Sequence, residues 1–155
     1  MEQYIRPARA EDAARIAEIE IFNYRLNFYP IFQSDDYYFG ELNVPDRMEE
    51  LLESGLSGYF VFDDGTVKGF IRIGGDELQK LFVEPVLQGR HIGEKLLRYA
   101  VSAHGVTWLW ALEKNTRAIR FYERHGFHLT ETKTQEEDTE EYLIRMERLP
   151  AAERR

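Results

Sequence analysis

Leu81-Phe82-Val83-Glu84-Pro85-Val86-Leu87-Gln88-Gly89-Arg90-His91-Ile92-Gly93-Glu94-Lys95-Leu96-Leu97 carries two hydrophobic periods in one short stretch. The apolar run from Glu77 to Val83 reads as a strand, and Pro85 stops it. From Gly89 to His104 the residues Ile92, Leu96, Leu97, Ala100 and Val101 form one helical stripe, which Gly105 ends. Gln88 to Gly93 is therefore a strand-to-helix turn. The unpaired amides of a helix start, with the helix dipole behind them, attract an anion. Gly89 and Gly93 would let a phosphate approach the backbone closely. Alone, the hexapeptide is read equally well as a plain connection. It is not a Walker loop, because Gly93 is followed by Glu94, and it lacks the three spaced glycines of a dinucleotide fingerprint.

Outward from this turn the pattern alternates between the two periods. Tyr4 to Pro7 reads as a strand, and Ala13, Ile16, Ile19, Phe22 and Leu26 mark an amphipathic helix from Glu11 to about Leu26. Asn27 to Asp46 is irregular and aromatic, and Pro45-Asp46 opens a second helix that Ser54-Gly55 closes. Gly58 to Phe62 and Val67 to Ile73 flank Asp63-Asp64-Gly65-Thr66, a hairpin signal. Thr107 to Leu112 is a continuous apolar run, predicting a central strand buried on both faces. Thr116 to Arg124 reads as a helix capped by Asn115. Phe127 to Thr132 and Glu141 to Arg148 close the chain as strands around a solvated acidic turn, before a frayed tail from Pro150 to Arg155. The order β-α-α-β-β-β-α-β-α-β-β, without repeat or linker, predicts a single α/β (α+β) domain over residues 1–155.

Composition narrows the function. A net charge of -8 argues against a nucleic-acid binder and favours a cationic partner such as an amine, although acidic surface also serves solubility. Cysteine is absent, which removes disulfides, thiolate metal sites and a cysteine nucleophile. His91, His104, His125 and His128 show no metal-ligand spacing, so no metal is expected. No stretch is apolar enough for a membrane span and the start has no signal-peptide core, so the expected setting is cytoplasmic.

The opening stretch resembles the acyl-coenzyme A signature Gln/Arg-x-x-Gly-x-Gly/Ala of the GNAT superfamily of N-acetyltransferases. Asn115-Thr116-Arg117-Ala118-Ile119-Arg120-Phe121-Tyr122-Glu123-Arg124-His125-Gly126-Phe127 resembles that family's second signature. Ile5-Arg6-Pro7-Ala8 and Tyr142-Leu143-Ile144-Arg145-Met146 are similar to its first and last strands, so the resemblance spans nearly the whole chain. One departure stands out: His91 occupies the first motif glycine, where a positive φ would cost histidine more than glycine.

The resemblance implies a mixed, mostly antiparallel sheet of about seven strands with about four helices, and acetyl-coenzyme A as co-substrate. It implies that the amides of Gln88, Gly89, Arg90, His91, Ile92, Gly93 and Glu94 hold the pyrophosphate. The Leu81-Phe82-Val83 strand would pair with the pantetheine arm, and the Leu81 amide would polarise the thioester carbonyl. Asn115, Ala118, Phe121 and Tyr122 would complete the cofactor site, with the acyl chain entering where Glu77–Val83 and Thr107–Leu112 splay apart. Tyr122, nearly on the face of Asn115, is suited to protonate a leaving thiolate. It could also be a packing aromatic. Glu77 stands where some family members carry a general base. Lying an even number of residues before Val83, it is expected on the face of Leu81 and Val83; a solvent-facing glutamate, with ordered water as the base, is the alternative.

Phe22, Tyr24, Phe28, Tyr29, Phe32, Tyr37, Tyr38 and Phe39 crowd the segment that lines the acceptor pocket in this family. Tyr24, Phe28, Tyr29 and Tyr38 are the expected substrate contacts, through cation–π contacts and hydroxyls. Core packing or a homodimer interface would use the same residues. The expected function is acetyl transfer to a primary amine, of a small molecule or of a protein or peptide, by direct attack in a ternary complex. A non-catalytic acyl-coenzyme A sensor is the competing reading.

Overall fold

The computed structural model describes residues 3–148; the predicted tail from Pro150 lies outside them. Seven strands form one sheet in the order β1-β2-β3-β4-β5-β7-β6. They are β1 (Ile5–Pro7), β2 (Tyr59–Asp63), β3 (Val67–Gly74), β4 (Glu77–Val83), β5 (Trp108–Leu112), β6 (Phe127–Gln135) and β7 (Tyr142–Arg148). All neighbours are antiparallel except β4 and β5, which are parallel. The helices are α1 (Ala13–Asn27), the short α2 (Tyr29–Phe32), α3 (Val44–Ser54), α4 (Ile92–His104) and α5 (Thr116–Arg124). A π-helical turn spans Tyr37–Glu41, so the stretch from Asn27 to Asp46, irregular in sequence, is made of short helical turns. None of the described helices is long and apolar enough to cross a membrane.

Two cores sandwich the sheet. On one face Ile16, Ala17, Ile19 and Leu51 of α1 and α3 pack on Tyr59, Val61 and Phe70. On the other, Ile92, Leu96, Leu97 and Ile119 of α4 and α5 pack on Ile71, Leu78, Leu109 and Met146. Phe70 and Ile71 are neighbours in β3 and enter opposite cores, as the strand period of two requires. Gly69 lets α4 come close: a Cβ there would stand 3.0 Å from both the Leu96 side chain and the Phe82 carbonyl.

Two expectations are corrected. Phe22 and Leu26 of the predicted apolar stripe are exposed, and α1 instead buries Glu20 and Asn23, each 1% exposed. Strand β5 is central but not buried on both faces. Leu109 and Ala111 are buried in the α4–α5 core, whereas Trp108 and Trp110 lie half-buried on the opposite face, with the Arg145 guanidinium 4.0 Å from the Trp108 ring centre.

Candidate active site

Strands β4 and β5 pair only at Glu77–Trp108 and Leu78–Leu109. Beyond Leu109 they separate, as the resemblance implies. A cleft of about 1390 Å³ opens there, bounded by β4, the 88–94 loop, α5, the α1–α2 segment and the β6–β7 hairpin. In an antiparallel ladder bonded residues alternate. Glu84 donates to the Lys68 carbonyl of β3, so Phe82 and Lys80 pair with β3 and the backbone groups of Leu81 and Val83 face the open side.

The 88–94 loop presents open backbone amides. None of the amides from Gly89 to Glu94 donates to an acceptor among the described residues. They stand at the start of the thirteen-residue α4, with its dipole behind them. His91 is the N-cap and adopts φ 67°, ψ 11°, so the motif position does demand the left-handed region. Its ring leans on Glu94, Nδ1 to Oε2 3.0 Å, and makes no cap. Gly89 has φ 86°. The side chains of Arg117, Arg124 and His125, basic or potentially so, also line the cleft; Arg90 is exposed and does not line it.

Asn115 caps α5 by accepting from the Ala118 amide at 3.3 Å, and lines the cleft with Ala118, Phe121 and Tyr122. The Tyr122 ring packs on Phe121 and Phe127, and burial pushes its phenol well above the ordinary tyrosine range. It stays a proton donor at any physiological pH. Glu77 also lines the cleft, but not on the expected face. The β3–β4 register shifts between Arg72 and Ile73, leaving Gln79 unpaired, and this bulge reverses the alternation. Leu78, Leu81 and Val83 share the α4 side, so Glu77 sits beside Trp108 on the opposite face, with Lys80 and Phe82.

Of the four expected acceptor contacts, Tyr24, Phe28 and Tyr38 line the cleft and Tyr29 does not. Tyr29 stands behind Tyr38, ring centres 5.9 Å apart, and its hydroxyl is taken by Asp35 at 2.5 Å. Tyr37 and Phe32 line the cleft in its place.

Two residues missed in the sequence organise this end. Asn23 donates to the carbonyls of Val83 at 2.9 Å and Ile19 at 2.8 Å, and its Oδ1 accepts from the Gln88 side chain at 3.0 Å. Gln88 also donates to the Val83 carbonyl at 3.3 Å. The side chain of Gln88 thus anchors the loop to α1, and the Val83 carbonyl is already used. Glu20 accepts from Lys80 and, at 2.5 Å, from Arg47, with the Tyr24 hydroxyl at 3.4 Å. Burial pushes the Lys80 amine down and the Tyr24 phenol up.

The comparisons agree with this geometry. The family described as acetyltransferase (GNAT) domain matches residues 55–129, which span the splay, the anion loop and α5. Just under half of the chain, residues 55–129, is similar to the GNAT acetyltransferase family. Peptidyl-lysine N-acetyltransferase YiaC of Escherichia coli is 37% identical over 76 residues, 48% of this chain and 52% of that protein, about half its length. Peptidyl-lysine N-acetyltransferase YjaB of Salmonella typhimurium is 28% identical over 127 residues, 81% of this chain and 83% of that one. The PaiA N-acetyltransferase of Thermoplasma acidophilum, solved with coenzyme A, superposes with a TM-score of 0.71 at 24% identity, covering 95% of this chain and 99% of that one. The cleft has residues that fit a coenzyme A thioester: a run of open amides for its pyrophosphate and an open strand edge for its amide-bearing arm.

Proposed function

We propose that this GNAT chain transfers the acetyl group of acetyl-coenzyme A to the side-chain amine of a lysine in a protein or peptide, by direct attack within a ternary complex. One observation carries the reading: a single cleft has the open amides of the 88–94 loop in one wall and Tyr122, Glu77 and the tyrosine-rich segment in the others. The lysine acceptor is supported by the relatives whose names give peptidyl-lysine as their substrate.

When bound, acetyl-coenzyme A supplies the acetyl group as a thioester. The amides of residues 89–94 hold its pyrophosphate, and the backbone of Leu81 with the amide of Val83 pairs with its arm. The Leu81 N–H donates to the carbonyl oxygen, where negative charge grows during attack. Glu77, from the acceptor side of the sheet, takes one proton from the acceptor ammonium, directly or through an ordered water, so that the neutral amine attacks. The nitrogen gives up its second proton to solvent water as the C–S bond breaks. Tyr122 gives its proton to the departing thiolate and regains one from solvent.

Thiol release measured against lysine peptides, peptides with only a free N-terminus, and small polyamines tests this. Lysine peptides should be acetylated, with Tyr122→Phe and Glu77→Gln slower. Tight coenzyme A binding with no thiol release on any amine would support the sensor reading instead.

A further inference from the structure

The cleft wall carries charged residues of both signs. Four of its carboxylates, Glu41, Glu136, Glu137 and Asp138, come from the π-helical turn and the β6–β7 hairpin, apart from Glu77, Lys80 and Glu94 on β4 and α4 and from Arg117, Arg124 and His125 on and just after α5. Tyr38 lines the same cleft. It is only 5% exposed, its ring packs edge-on against Tyr37 at 4.9 Å and Tyr29 at 5.9 Å, and Arg25 holds its backbone carbonyl at 3.0 Å. Its hydroxyl has no partner among the described residues, although the residue forms part of the cleft wall. Burial, then Tyr37, then the nearby Glu136 carboxylate push this phenol up to about 12, which places Glu136 within electrostatic reach of it. Glu136 is presented by a closed turn: its amide donates to the Glu141 carbonyl at 2.7 Å, and its own carbonyl accepts from Thr139.

A fixed phenol with an unused hydroxyl, an aromatic neighbour and a carboxylate within electrostatic reach in the same cleft wall can together receive an ammonium or guanidinium by hydrogen bond, charge and π face. We propose that the Tyr38–Glu136 corner, backed by Glu137 and Asp138, binds a second positive charge of the acceptor. The preferred substrate is then a lysine in a basic segment of a polypeptide. This rests on the lysine reading of the preceding subsection and adds the residues that select among lysines.

The test uses the full chain, saturating acetyl-coenzyme A and three peptides whose single lysine is flanked by arginine, glycine or glutamate, with a free polyamine as a fourth acceptor. The ratio of kcat/KM for the arginine-flanked over the glycine-flanked peptide should be about tenfold. It should shrink with added salt and fall towards one in Glu136→Gln and Tyr38→Phe, with melting curves confirming that both variants fold. Equal kcat/KM for the arginine and glycine peptides overturns the inference while leaving the lysine reading intact. So does a preference that survives in both variants. A polyamine that outpaces every peptide, or no turnover of any lysine peptide, overturns the inference and the lysine reading together.

Discussion

His91 holds φ 67° where the family signature places glycine. A left-handed conformation costs a side-chain-bearing residue about 1–2 kcal/mol, partly offset by the larger unfolded-state entropy of glycine. The exposed His91–Glu94 contact adds little against this. His91→Gly should therefore raise stability by roughly 0.5–1 kcal/mol in urea titration and leave the KM for acetyl-coenzyme A nearly unchanged, because the amide remains. The strained position was legible in the sequence, since the motif spacing names it. The place of Tyr122 in the cleft was legible for the same reason, and its hydroxyl has no hydrogen-bond partner among the described residues. Tyr122→Phe should lower kcat by about 10²-fold with little change in KM. Burial raises the phenol, so no alkaline loss of activity from this group is expected below pH 10, its ordinary value.

At the scale of elements, α1 is fastened to β4 by polar groups. Glu20 meets Lys80, Asn23 holds the Val83 carbonyl, and Tyr24 packs on Phe82 at 5.6 Å. Hydrophobic spacing could not find Glu20 or Asn23, because it counts only apolar residues and continued the stripe to Phe22 and Leu26. Nor could an alternation rule foresee the bulge that turns Glu77 to the other face, since nothing in Gln79 itself announces it. The short turns between α1 and α3 escaped because each is too brief to show a period. Asn23→Ala should cost about 1–2 kcal/mol, the loss of its buried hydrogen bonds, since Gln88 can still donate to the Val83 carbonyl. It should also raise the KM for acetyl-coenzyme A, because Gln88 loses its anchor; Gln88→Ala should raise KM with a smaller loss of stability. Glu20→Gln strands Lys80 and Arg47 beside a neutral group and should cost about 3 kcal/mol in denaturant titration.

Across the whole molecule, the order of elements and the family signatures were readable because strand and helix periods switch cleanly along the chain. The carboxylates that line the cleft together were not, since they join Glu41 to the β6–β7 hairpin, far apart in sequence. Global stability should carry the mark of the buried phenols. Below pH 10 the folded and unfolded chains both keep them protonated. As pH rises, the unfolded chain ionises its tyrosines first, while Tyr38 holds its proton to about 12. Stability should therefore fall between about pH 10 and 12, and Tyr38→Phe should flatten that fall.

The central claim is that the cleft brings a thioester held by the 88–94 loop to a lysine amine beside Tyr122. Mass spectrometry of a lysine peptide incubated with acetyl-coenzyme A and the full chain, with thiol release followed in parallel, tests it most directly. The expected result is one acetyl group on the lysine side chain per thiol released, slowed about 10²-fold in Tyr122→Phe. Acetylation confined to the peptide N-terminus, or thiol release at the wild-type rate in Tyr122→Phe, would contradict it.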